Sequence, residues 1–94
     1  MYNYFMLIGK FNGIKEGATG MYEMKLAVER TFLEADGVRK TDHFIIQVPT
    51  YVGELIIKDE IKFIGKTVSV KGRLLPVMKG TSATVIAERI MWGD

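Results

Sequence analysis

The sequence contains no cysteine, one histidine, one tryptophan and only two prolines among its 94 residues. Without cysteine there is neither a disulfide framework nor a thiolate metal site, which fits a cytoplasmic location. His43 has no cysteine or second histidine to join it, so no metal site is expected. The same scarcity leaves a nucleophilic triad without its parts. Gly65-Lys66-Thr67 ends like a phosphate loop, but Glu60 stands where the first glycine is required. The carboxylates of Asp59 and Glu60 fall in a charged turn without a partner acid. An enzyme is therefore not expected, and no cofactor is implied. No apolar run approaches the roughly 18–20 residues that span a bilayer. Met1-Tyr2-Asn3-Tyr4 lacks the basic flank and apolar segment of a secretory signal, so no membrane partner is expected.

What is present describes one small globular domain. Apolar residues make up 48% of the chain and charged residues 26%, enough of the former for a core. At this length self-association is a common way to bury more surface. The net charge of +2 permits an anionic partner without demanding one, so the distribution of charge has to decide.

Along the chain, Tyr4 to Ile8 is apolar on both faces and ends at Gly9-Lys10. A strand of this kind is covered on both sides, and in a small domain one cover can be a second subunit. Asn12 to Gly20, with three glycines, reads as a loop. From Met21 to Phe32 the positions Tyr22, Met24, Leu26 and Val28 alternate with Glu23, Lys25, Ala27 and Glu29, the pattern of a half-buried strand. Leu33 to Gly37 is a hairpin connection in which Asp36-Gly37 supplies a positive φ. A third strand opens with Arg39-Lys40, buries Phe44, Ile46 and Val48, and stops at Pro49, which cannot donate to a ladder. Tyr51 to Ile64 reads as a short helix ended by Gly65. Thr67 to Leu75 alternates again, with Val68, Val70 and Leu74 inward. Pro76 to Gly80 turns the chain into a last strand, Ser82 to Trp92. Three strands, a helix and two strands is the order of an OB-fold: an all-β, five-stranded Greek-key barrel with one helix between strands three and four.

The same segments resemble the bacterial single-stranded DNA-binding protein family. Met6-Leu7-Ile8-Gly9-Lys10-Phe11 is similar to its first strand, and Leu26-Ala27-Val28-Glu29-Arg30 to its Leu-Ala-Val-x-Arg pattern. Asp42-His43-Phe44-Ile45-Ile46 stands where the family has an acid, an aromatic and a β-branched run. Val68-Ser69-Val70-Lys71-Gly72-Arg73-Leu74 resembles its Val-x-Val-x-Gly-Arg-Leu strand, and Val85 to Ile90 its closing strand. The resemblance implies single-stranded DNA as ligand, homodimers or homotetramers, replication proteins as partners, and bases stacked on strand aromatics. Phe32 fits one stacking position. His43 replaces an aromatic at the start of the third strand, and Pro49 or its surroundings the one at its end. The hairpin at 76–81 has no aromatic, and no acidic tail follows Trp92-Gly93-Asp94. A short, tail-less relative of the primosomal replication protein B kind fits this pattern.

Read from the residues alone, a single-strand binder needs cations that follow phosphates and flat side chains on which bases stack. Lys10, Arg30, Arg39, Lys40, Lys71, Arg73 and Lys79 are the candidate cations. Phe32 and His43, with Tyr22 or Tyr51, are the candidate platforms. Parity places Thr41, His43, Ile45 and Gln47 on the face opposite Phe44, Ile46 and Val48, so Ile45 would pack against a base or sugar. The opposing reading is that outward lysines and arginines are solvated, that Phe32 and Tyr22 are core, and that Trp92 caps the barrel. Tyr4, Met6, Leu7 and Ile8 are the expected oligomer contact. Two other functions fit the same fold: a protein-binding adaptor domain, and an RNA-binding domain.

Overall fold

The computed structural model describes residues 3–17, 20–31, 33–75 and 85–93. Five strands, β1 (Phe5–Glu16), β2 (Tyr22–Glu29), β3 (Thr41–Val48), β4 (Thr67–Leu74) and β5 (Val85–Trp92), close into a barrel in the order β1-β2-β3-β5-β4. Helices α1 (Thr50–Lys58) and α2 (Glu60–Phe63) lie between β3 and β4. This is the OB-fold that the element order predicts.

β1 serves two ladders. Phe5 to Lys10 pairs with β4 from Gly72 to Thr67, and Lys10 to Glu16 pairs with β2 from Ala27 to Tyr22. The strand therefore extends well past Lys10, through the segment whose glycines and polar residues predict a loop. A register shift between Phe11 and Ile14 accommodates Asn12-Gly13, and Gly13 takes φ +126°, which a side chain would resist. The shift lets both Phe11 and Ile14 face inward.

The core comprises Phe11, Ile14, Tyr22, Met24, Leu26, Ile46, Val48, Ile56, Val68, Val70 and Ala87. One end is closed by an aromatic cluster in which Phe63 stacks on Trp92 with centroids 4.2 Å apart, and Phe11 meets Trp92 edge-on at 5.4 Å. Such pairs add about 0.5–1.5 kcal/mol each beyond area burial. Trp92 thus caps the barrel, and Tyr22 is core. Burial raises the Tyr22 phenol above its ordinary pKa, with Glu16 and Glu54 adding to the effect.

Several boundaries and faces differ from expectation. β2 ends at Glu29 rather than running to residue 32, and β3 begins at Thr41 rather than Arg39. The intervening turn is held by the Glu34 N–H donating to the Val38 carbonyl at 3.0 Å, with Gly37 at φ +82°. Phe44, expected inside, is 39% exposed. Among the described residues β3 pairs with β5 only at Gln47↔Ile86, three positions beyond Phe44. Leu74, also expected inside, is 49% exposed at the end of β4, where its backbone exchanges hydrogen bonds with the Asn3 side chain. The expected single helix is two, broken at Asp59 (φ −122°, ψ 34°). Only Gly53 and Ile56 of α1 are fully buried, while Leu55, Ile57, Ile61 and Ile64 are exposed. Adjacent isoleucines cannot share one helical face, and Gly53 lies so close to Tyr22 that a Cβ there would come within 2.4 Å of its ring. The last hairpin, including Lys79, lies outside the described residues, as does Phe32.

Candidate nucleic-acid interface

Barrel closure distributes the predicted site residues over two flanks. On the first, the outward positions of β2 and β3 form cross-strand pairs: Glu23↔Gln47, Lys25↔Ile45, Ala27↔His43 and Glu29↔Thr41. His43 is exposed, as parity predicts, whereas Ile45, expected to be exposed beside it, is half-buried. The methyl side chain of Ala27 opposite His43 leaves the imidazole unobstructed on that side. A shallow groove of about 260 Å³, lined in part by Lys15, Glu23, Lys25 and Ile45, runs from this face toward α2. A second groove, of about 300 Å³, is lined by Ile8, Gly9, Lys10, Ala27, Glu29, Thr41 and Thr67, and so follows the seam where β1 changes partner.

The second flank is the outer face of β1, β4 and β5. Lys71 lies between Met6 on β1 and Arg89 on β5, and Ser69 between Ile8 and Met91. Arg73 pairs outward with Glu88, Nε to Oε2 3.7 Å. It borders a third groove, of about 460 Å³, with Pro49, Tyr51, Val52 and Ile86. Tyr51 is 72% exposed there, so it alone of the two tyrosine candidates is available for stacking.

The cations also differ in what they touch. Arg30 donates through Nε and Nη2 to the two carboxylate oxygens of Asp42, both at 3.0 Å, and through Nη1 to Glu34 at 2.6 Å. Its own backbone N–H donates to the Lys40 carbonyl at 2.8 Å. This arginine ties together the two ends of the β2–β3 connection. Arg39 pairs with Glu29 at 3.1 Å and donates to the Arg30 carbonyl at 3.2 Å. By contrast, Lys10, Lys25, Lys40, Lys71 and Arg89 have no carboxylate within 4 Å among the described residues. Of the ten predicted ligand contacts, Lys10, Arg30, Arg39, Lys40, His43 and Ile45 belong to the β2–β3 flank or its connection. Lys71 and Arg73 lie on the β4–β5 flank, and Phe32 and Lys79 are not described.

Lys25 and Arg89 were not singled out by the sequence reading. Lys25 is simply outward on β2, and its alternation carried the information. Arg89 is concealed by a register shift at Lys71/Gly72, where Gly72 pairs with Ala87 and Lys71 with Arg89. The apolar parity changes there, from Val85 and Ala87 to Ile90 and Trp92, and that change is the readable signal. Of the expected oligomer contact, Tyr4, Met6 and Ile8 are exposed, whereas Leu7 packs against the core opposite Val70. Among the described residues no group of three metal-ligating side chains converges, and no helix is long and apolar enough to cross a membrane.

No family model and no curated protein sequence matches the chain. Solved structures do. A small single-stranded DNA-binding protein from Mycoplasma pneumoniae superposes with TM-score 0.71 at 20% identity, covering 97% of this chain and 93% of that one. The likeness is one of fold. The SSB of Plasmodium falciparum, solved in complex with ssDNA, gives TM-score 0.66 at 22% identity over 100% of this chain and 96% of that one. A small single-stranded DNA-binding protein from Streptomyces coelicolor gives 0.61 at 18%, over 99% and 95%. The OB barrel is thus shared with these proteins over nearly their whole length, while the side chains on it are largely this chain's own.

The Arg30 clamp has a pH signature. Hydrogen bonds from Arg30 hold the Asp42 carboxyl below its ordinary pKa, against partial desolvation, which acts the other way. A carboxyl depressed in the folded state stabilises it above the unfolded value, about 3.9, and that contribution fades as pH falls through the depressed value. The urea midpoint of the wild type should therefore fall below about pH 4. Asp42→Asn should lower the midpoint at pH 7 and flatten this acid limb. An unchanged acid limb in Asp42→Asn would assign the effect to other carboxylates.

Proposed function

We propose that this protein binds single-stranded DNA without strong sequence preference, along the β2–β3 flank of its barrel. The observation that carries this reading is a set of lysines with no carboxylate within 4 Å among the described residues: Lys25 opposite the half-buried Ile45, Lys10 opposite Ala27 beside the exposed His43, and Lys40 just before β3. Lysines without acidic partners release counterions when they meet phosphates, and a flat imidazole beside an aliphatic side chain suits a base or sugar. The fold's solved neighbours are described as single-stranded DNA-binding proteins, which supports the same ligand. Binding is passive in this account: the strand is held extended and kept from re-pairing. Replication, repair or primosome restart, with replication proteins as partners, is the setting we infer, in the manner of a short primosomal replication protein B-like protein.

Arg30 is assigned to the fold and not to the ligand, since three acidic oxygens already occupy three of its five N–H donors. Replacing Lys10 and Lys25 together by glutamine should reduce the salt dependence of oligo-dT binding, the slope of log K against log salt, by about 1.4. Adding His43→Ala should cost roughly 1–3 kcal/mol more if the imidazole stacks. A slope unchanged in a folded double variant would move the strand to the β4–β5 flank. Clearly tighter binding of oligo-U than of oligo-dT would make RNA the ligand.

We further infer a homodimer or homotetramer built on the β1 face. Tyr4, Met6 and Ile8 are 72%, 53% and 56% exposed, and Met91, reached across Ser69, is 56% exposed. Four large apolar side chains on one sheet face are unusual for a monomer's surface and suit a second copy. Between Phe5 and Gly9 the β2-facing edge of β1 also has no ladder partner among the described residues. Ile8→Lys should shift sedimentation to the monomer mass while circular dichroism stays native. An intact assembly would place the interface elsewhere.

A further inference from the structure

We propose that Glu29 is an intramolecular competitor for the phosphodiester backbone, holding Arg39 until a strand displaces it and so setting the affinity of the site. The inference rests on the binding reading above and adds to it a residue that opposes binding. Glu29 closes the outward row of β2 opposite Thr41, and lines the same groove as Lys10. An incoming phosphate therefore encounters a lysine and a carboxylate in one groove, with Arg39 already engaged to that carboxylate at 3.1 Å.

The two arginines of the β2–β3 connection are not equivalent in this respect. Arg30 has both oxygens of Asp42 and one of Glu34, a bidentate arrangement reinforced by its backbone hydrogen bond to Lys40, so exchanging its partners would dismantle the connection. Arg39 has one carboxylate oxygen, and the pair is open to solvent: its side chain is 41% exposed and that of Glu29 66%. A phosphate oxygen can replace a single carboxylate oxygen at little cost in geometry, because the guanidinium offers the same fork to either anion. The second Arg39 contact, from Nη1 to the Arg30 carbonyl at 3.2 Å, keeps the guanidinium beside the groove whichever anion it meets. Arg39 is paired with Glu29, so a strand gains a full contact from it only by displacing the carboxylate.

A double-mutant cycle tests this, with anisotropy of a labelled oligo-dT as the readout and full-length protein throughout. Both positions are exposed, and a thermal melt of each variant checks that it is folded. Glu29→Gln should tighten binding about two- to five-fold at low salt, the range of exposed ion pairs, and steepen the salt slope by about 0.7 as Arg39 becomes a productive contact. In an Arg39→Gln background the same Glu29→Gln change should give clearly less. An equal gain in both backgrounds overturns the proposal, because it reports only the removal of a repulsive charge. No gain in the Arg39-containing protein overturns it as well. If neither wild type nor any variant binds oligo-dT, the proposed function falls and this inference with it; wild-type binding with an unresponsive Glu29 removes the inference alone.

Discussion

The double pairing of β1 is the constraint on which the rest of the structure depends. One twelve-residue strand gives its first half to β4 and its second to β2, and Lys10 belongs to both registers. That handover closes the barrel on one side; on the other, the described residues of β3 and β5 pair only at Gln47↔Ile86. The register shift at Asn12-Gly13 lets both Phe11 and Ile14 point inward, and Phe11 then anchors the aromatic cap formed with Phe63 and Trp92. Without the shift one of these two side chains would face water, at a cost of about 1.5–3 kcal/mol in lost burial.

The same handover decides where charge can act. It divides the outer surface into a β2–β3 flank and a β1–β4–β5 flank, with Lys10 on the seam. The first carries Lys10, Lys25 and Lys40 about an imidazole. The second carries Lys71 opposite Arg89 above an exposed apolar patch, a mixture suited to an assembly whose rim is cationic. The net charge of +2 is a poor guide to either flank. The arginines of the β2–β3 connection are paired with Asp42, Glu34 and Glu29, whereas Lys10, Lys25 and Lys40 have no carboxylate within 4 Å among the described residues.

Much of the fold was legible in the sequence because strand alternation and punctuation agree. Tyr22, Met24 and Leu26 face inward as their period predicts, Pro49 ends β3, and Asp36-Gly37 makes its turn. What was not legible depends on where neighbours lie. Asn12 to Glu16 looks like a loop by composition, yet it is strand because Tyr22 to Met24 lies alongside to pair with it. Phe44 has the parity of a core residue, but it lies outside the stretch of β3 that pairs with β5 among the described residues, and it is exposed. On the outer surface, parity placed His43, Ile45 and Lys71 on outward positions. It could not show that Arg30 and Arg39 are already occupied, since Asp42 and Glu29 become their partners only when β2 and β3 pair. Arg89 was hidden by a one-residue register shift, which inverts every later position on the strand.

The central claim is that a single strand lies on this barrel, and competition measures it most directly. A labelled oligo-dT bound to the protein would be challenged with unlabelled single strand and with duplex of equal length, at low and moderate salt. The account predicts displacement by the single strand at far lower concentration than by duplex, with affinity falling as salt rises. Equal competition by duplex would reduce the β2–β3 flank to a generally cationic surface and contradict the claim.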